Sequence, residues 1–166
     1  MTHLRLKKKK NADGHWTVIF HFAEHPWSPS NLVIRKLFYG VLQSLQDVIT
    51  HFEVEYSDYL LAQKMGLEKS VDCLLRLGAT KENIIEKKEG NAVISRLFKA
   101  PMTEDRFHFF DNWLDLEQFS NVRFFNDNQL KIEIFYTDYI KMELNEAELQ
   151  GVTEKWKSTH VPVQLI

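Results

Sequence analysis

The sequence predicts an α+β domain, with a mostly antiparallel sheet packed against one long amphipathic helix and several shorter helices. Three observations carry this. Several short stretches alternate apolar with polar residues, the period of a half-buried strand. Between residues 30 and 50 the apolar residues recur instead at three-to-four spacing, the period of a helix face. Turn residues join neighbouring strand patterns directly, as hairpins require. A chain of 166 residues has the size of one ordinary domain and buries roughly 70% of its unfolded surface, so a single domain over residues 1–166 is expected.

Taken in order, "THLRLKKKK" alternates Leu4 and Leu6 with charged residues, "NADG" supplies a turn, and "HWTVIFHF" sets Trp16, Val18, Phe20 and Phe22 on one face. That reads as a hairpin with a basic strand or arm over residues 1–12. "AEHPWSPS" breaks the pattern, with Ser28 the expected N-cap and Pro29 the first helical residue, where a missing amide costs nothing. The long helix follows over residues 30–50, its stripe made by Val33, Ile34, Leu37, Phe38, Val41, Leu42, Leu45, Val48 and Ile49. "HFEVEY" alternates as a strand, and two short helices then end at Gly66 and Gly78. "ENIIEKKEGNAVISRLF" reads as two strands around Glu89-Gly90, with a helix ending at Gly90 as the alternative.

After Pro101 a helix is expected with Thr103 as cap and Phe107, Phe110 and Leu114 on its inner face. "NVRFF" and "LKIEIFY" form a hairpin through "NDNQ", with Leu130, Ile132, Ile134 and Tyr136 on one face, and "YIKMEL" is the next strand. Asn145 and Glu148 have the spacing of a capping box for a last helix that turns Leu149, Val152 and Trp156 inward.

Composition narrows the function. Cys73 is the single cysteine, so no internal disulfide exists; flanked by apolar positions, it reads as a small buried side chain. No run approaches the roughly 18 apolar residues of a membrane span. The basic start followed by a short apolar run imitates a secretory signal, but that run contains His21 and leads to no small-residue cleavage site. The expected location is the cytoplasm. Charge is uneven: residues 1–12 carry +5, whereas residues 101–150 carry 4 basic and 11 acidic side chains.

"HFAEH", His21 to His25, matches the H-x-x-E-H pattern of the inverted zincin metalloproteases. That chemistry needs a helix, because residues four apart meet on one face only at 3.6 residues per turn. Here His21 closes an alternating run, and Pro26 biases His25 away from helical dihedrals. His21, Glu24 and His25 are therefore expected near a strand end, with no metal. "LAQKMGLEKSVDCLLRLG" has the Ala62 to Gly66 spacing of a helix-turn-helix, yet it sets Glu68 and Asp72 beside only Lys69 and Arg76, which suits a plain helical pair. No dinucleotide, P-loop or hydrolase-elbow glycine motif occurs. On these grounds no catalytic residue and no cofactor is assigned.

The remaining feature is the mixture of acids and aromatics between Asp105 and Glu148. The leading expectation is a non-enzymatic binding module whose acidic surface engages a basic protein, for example an inhibitor or immunity-type protein that neutralises a nucleic-acid-cleaving toxin. Asp111, Trp113, Asp115 and Glu117 are the candidate contacts, because Phe107, Phe110 and Leu114 already supply the inward face. An alternative is a nucleic-acid-associated protein gripping phosphates through Arg5, Lys7, Lys8, Lys9 and Lys10. Those lysines also suit an exposed strand edge, where they discourage sheet-to-sheet pairing. A small hydrolase whose site assembles from distant segments is the third reading.

Overall fold

The computed structural model describes residues 3–24, 31–135 and 138–166. Among them nine strands form one sheet: β1 (Leu4–Lys10), β2 (Trp16–His21), β3 (His51–Tyr56), β4 (Ile85–Glu89), β5 (Ala92–Pro101), β6 (Asn121–Asn126), β7 (Gln129–Phe135), β8 (Tyr139–Leu144) and β9 (Val163–Leu165). Their spatial order is β4-β5-β3-β6-β7-β8-β2-β1-β9. Only the β1 to β9 pairing is parallel. Five helices complete the α+β architecture: α1 (Asn31–Ser44), α2 (Asp58–Met65), α3 (Leu67–Arg76), α4 (Glu104–Asp111) and α5 (Glu146–Ser158).

Strand alternation decides where the core sits. Phe52, Val54 and Tyr56 of β3, Val122 and Phe124 of β6, and Ile140, Met142 and Leu144 of β8 all point to one side, where they join residues from all five helices in one apolar cluster. The opposite side carries the alternating polar residues. Local signals hold the elements: Ser57, Thr103 and Asn145 cap α2, α4 and α5, and Asn145 with Glu148 forms a complete capping box. Gly14 and Gly90 turn the β1–β2 and β4–β5 hairpins with positive φ, a conformation that costs glycine little.

Two expectations about elements are corrected. The helix foreseen over residues 30–50 is α1, which stops at Ser44 after 14 residues, little longer than the 13 of α5. Its end tightens because the Leu45 amide is shared between the Val41 and Leu42 carbonyls and the Ser44 hydroxyl bonds back to Gly40. Leu45 and Ile49 remain buried from the turns that follow. β1 is not an edge over its whole length either, since β9 pairs with Leu4, Arg5 and Leu6. The long edge is β4, "IEKKE", whose five residues are all exposed and whose charges discourage further pairing. The expected cap Ser28 and first helical residue Pro29, with His25 and Tyr136, lie outside the described residues.

Candidate functional site

Strand order builds a charge ladder on the polar face of the sheet. Lys99, Glu53, Arg123, Glu133 and Lys141 stand directly opposite one another on β5, β3, β6, β7 and β8. Arg123 reaches Glu53 at 3.0 Å and Glu133 at 2.6 Å. Glu133 also accepts from Tyr139 at 2.8 Å and from Asn121 at 3.2 Å, with Lys141 at 3.6 Å. Burial alone would raise the Glu133 carboxyl, but bonds from Arg123, Tyr139 and Asn121 outweigh it and hold the carboxyl below its usual range. Burial, followed by the hydrogen bond to Glu133, pushes the Tyr139 phenol up to about 12. Both shifts move away from neutrality. Neither group is poised to exchange a proton near pH 7, as a general acid or base must be, so the ladder acts as a cross-strand staple.

The four acidic-surface candidates do not form one exposed face. Trp113, expected outside, is 2% exposed and packs among Phe38, Phe110 and Phe119. The cause is an early helix end. α4 stops at Asp111, where the Asn112 side chain and amide both donate to the His108 carbonyl, so the next two residues swap sides. Trp113 turns in to donate to Gln118, and Leu114, expected inside, stands 69% exposed. Asp111 is occupied by Gln43, and Lys64 takes both the Asp115 carboxylate and the Glu117 carbonyl. Other acids of residues 101–150 are elsewhere: Glu133 lies in the ladder, and Glu148 pairs with the buried Lys131.

What the structure brings together instead is a belt around α2. A depression of about 200 Å³ lies between Tyr59 and Val93 and Ile94 of β5. It shares Ser57 with a smaller one of about 50 Å³ beside Leu60. That in turn shares Gln118 with a groove of about 350 Å³ walled by Met65, Phe109, Trp113 and Leu114. Tyr59, Leu60, Val93, Ile94 and Leu114 are 40–70% exposed, and each lines one of these three neighbouring depressions. In the linings Lys64, Arg76 and Arg96 match Asp58, Asp115 and Glu117 in number, and the acidic surplus lies just outside, where Glu86 pairs with Arg96 and Lys88, Asp105 with Arg76, and Glu104 lies beside His108. Of the expected contacts, Asp115 and Glu117 belong to these linings, and Trp113 belongs to a wall. One signal in the sequence could have found the rest. Val93 and Ile94 are adjacent in a strand, and consecutive apolar residues cannot both face the core.

The lysine run and the histidines are absorbed locally. Lys7 pairs with Glu24 at 2.6 Å, and the Lys8 and Lys10 ammonium groups lie 5.3 Å and 5.6 Å from the centre of the Trp16 ring. These residues are strand, not a free arm. His21 ends β2 opposite Tyr139, and residues Phe22–Glu24 make one turn of 3-10 helix. Among the described residues no three His, Cys, Asp or Glu side chains converge as a metal site. The Cys73 thiol is 7% exposed, and burial pushes it up to about 11. No helix among the described residues is long and apolar enough to cross a membrane.

No family model, no curated protein and no solved structure matches this chain.

Proposed function

We propose that this chain is a non-enzymatic protein-binding module that docks a basic protein on the belt around α2. The observation that carries the reading is the set of exposed Tyr59, Leu60, Val93, Ile94 and Leu114 in three neighbouring depressions, with more carboxylates than cations in and around them. Apolar anchors in shallow depressions supply affinity, and a surplus of one charge steers a partner of the opposite sign. An inhibitor of a basic, nucleic-acid-cleaving enzyme is one protein relationship of this kind. The polar ladder offers no competing site, since Glu53, Arg123, Glu133 and Lys141 pair with one another and Lys99 lies over the Phe125 ring.

The test is tagged capture from the native host at low and moderate salt, run in parallel with two variants that leave buried residues alone. Leu60→Ser with Leu114→Ser removes anchors, and Asp115→Lys with Glu117→Lys reverses two carboxylates of the linings. One basic protein at equal stoichiometry, lost with either variant while both keep the wild-type circular dichroism, is the expected result. Retention of the same partner by both variants would refute the reading.

A further inference from the structure

Helix α3 leaves much of its apolar surface outside. Ser70 and Cys73 are its buried residues and Leu74 packs partly against the core, while Leu67, Val71 and Leu75 stand 74%, 47% and 62% exposed. Spaced four apart, the three form one line along the helix, about 12 Å long at 1.5 Å per residue. Ser70 is fixed inward by bonds from its hydroxyl to the Gly66 and Leu61 carbonyls, so the orientation is locked. The helix adjoins the belt, because Met65 just before α3 and Arg76 at its end both line the largest depression, while Leu67, Val71 and Leu75 stand outside the depressions.

Charge selects the occupant. Glu68 and Asp72 each follow a residue of the apolar line, about 100° further round the helix, and neither has a hydrogen-bond or ion-pair partner among the described residues. On the far side Arg76 is already engaged by Asp105 at 3.5 Å and by the Phe109 ring, and the exposed Lys69, about 200° round from Leu67, also lies across the helix from the apolar line. A second copy of this chain docking α3 on α3 about a two-fold axis would bring Glu68 and Asp72 towards their own counterparts, which like charge disfavours. A partner helix with Leu-type anchors and Lys or Arg beside them meets the apolar line and both free carboxylates at once.

Resting on the protein-binding reading above, we infer that α3 is the contact helix of that surface and that its partner element is a cationic amphipathic α-helix laid along Leu67, Val71 and Leu75. The test uses defined probes: a labelled amphipathic helical peptide of Leu and Lys, a shuffled peptide of the same composition with no apolar face, and a Leu and Glu helix. The Leu and Lys helix is expected to bind saturably and at least tenfold more tightly than either control. Leu67→Ser with Val71→Ser and Leu75→Ser should weaken it at least tenfold while the wild-type circular dichroism is kept. Glu68→Lys with Asp72→Lys should reverse the preference towards the Leu and Glu helix. Equal binding of the shuffled peptide, no saturable binding below about 1 mM, or indifference to both sets of variants overturns the inference. If these variants are silent in the host capture while Leu60→Ser with Leu114→Ser abolishes it, the module reading stands and only the assignment to α3 falls.

Discussion

Gly40 and Gly151 are both helical glycines, and the structure gives their replacement opposite signs. A methyl group on Gly40 would lie 2.7 Å from Cδ1 and 2.9 Å from Nε1 of Trp156, the indole that α5 presses onto α1. Trp156 is 1% exposed, and its Nε1–H donates to the Leu37 carbonyl at 3.0 Å. The clash can be relieved only by moving a large buried ring or separating the two helices. Overpacking of this kind costs about 1–3 kcal/mol, and a weakened buried hydrogen bond adds about 1–3 kcal/mol. The better helix propensity of alanine returns about 1 kcal/mol. Gly40→Ala is therefore expected to lose about 1–5 kcal/mol, which for a chain of this length lowers Tm by roughly 2–20 °C. Nothing lies within 4 Å of a methyl group on Gly151, so Gly151→Ala is expected to gain about 0.5–1 kcal/mol. Urea and thermal unfolding of the two variants decide it. A Gly40→Ala protein as stable as wild type would show that α1 and α5 do not cross at this contact, and with it would go the packing derived for Trp156.

Two further outcomes are expected. Spectrophotometric titration should find a tyrosine ionising at about 12, and Glu133→Gln should bring it down towards the ordinary 10. Tyr139 thus supports the fold fully below 10, with that support lost as pH rises towards 12, whereas Glu133 supports it above 4.5 and loses that support as pH falls. Glu133→Gln should accordingly flatten the acid limb of the stability curve, and an unchanged limb would count against the ladder. Lys131 and Glu148, with side chains 3% and 12% exposed, pair at 2.6 Å between β7 and the start of α5. Lys131→Ala leaves the largely buried Glu148 carboxylate with the Asn145 amide as its remaining partner and should lose up to about 3–5 kcal/mol in chemical unfolding, a loss that Lys131→Ala with Glu148→Gln reduces.

How much of this was legible in the sequence follows from the range of the interactions. Strand alternation in "HFEVEY" and "YIKMEL", the caps at Thr103 and Asn145, and the inward Cys73 are local matters, and the structure has them as read. The ladder was not legible, because Glu53, Arg123, Glu133 and Lys141 become neighbours only once β3, β6, β7 and β8 are adjacent. The short β9 depends on the same long-range pairing. Trp113 and Leu114 failed for a smaller reason. Their expected sides assumed that α4 continued, and a helix that ends at Asp111 exchanges inside for outside.

Charge counted along the chain suggested an acidic face over residues 101–150, but a count along sequence is not a count over surface. The fold spends those carboxylates in different places: Glu133 on the ladder, Glu148 on a cap and a buried lysine, Asp111 on Gln43. Apolar exposure is the more discriminating observation, because burying a Leu or Val side chain is worth about 1.5–3 kcal/mol, and α3 leaves Leu67, Val71 and Leu75 about half or more exposed while Ser70, Cys73 and Leu74 take the inner side. Folding gains less from these three side chains than full burial would give. Serine at Leu67, Val71 or Leu75 should therefore leave folding within about 0.5 kcal/mol of wild type for each substitution, and within about 1.5 kcal/mol for all three. Any large loss of peptide binding in that variant then measures contact at α3, separate from the integrity of the fold.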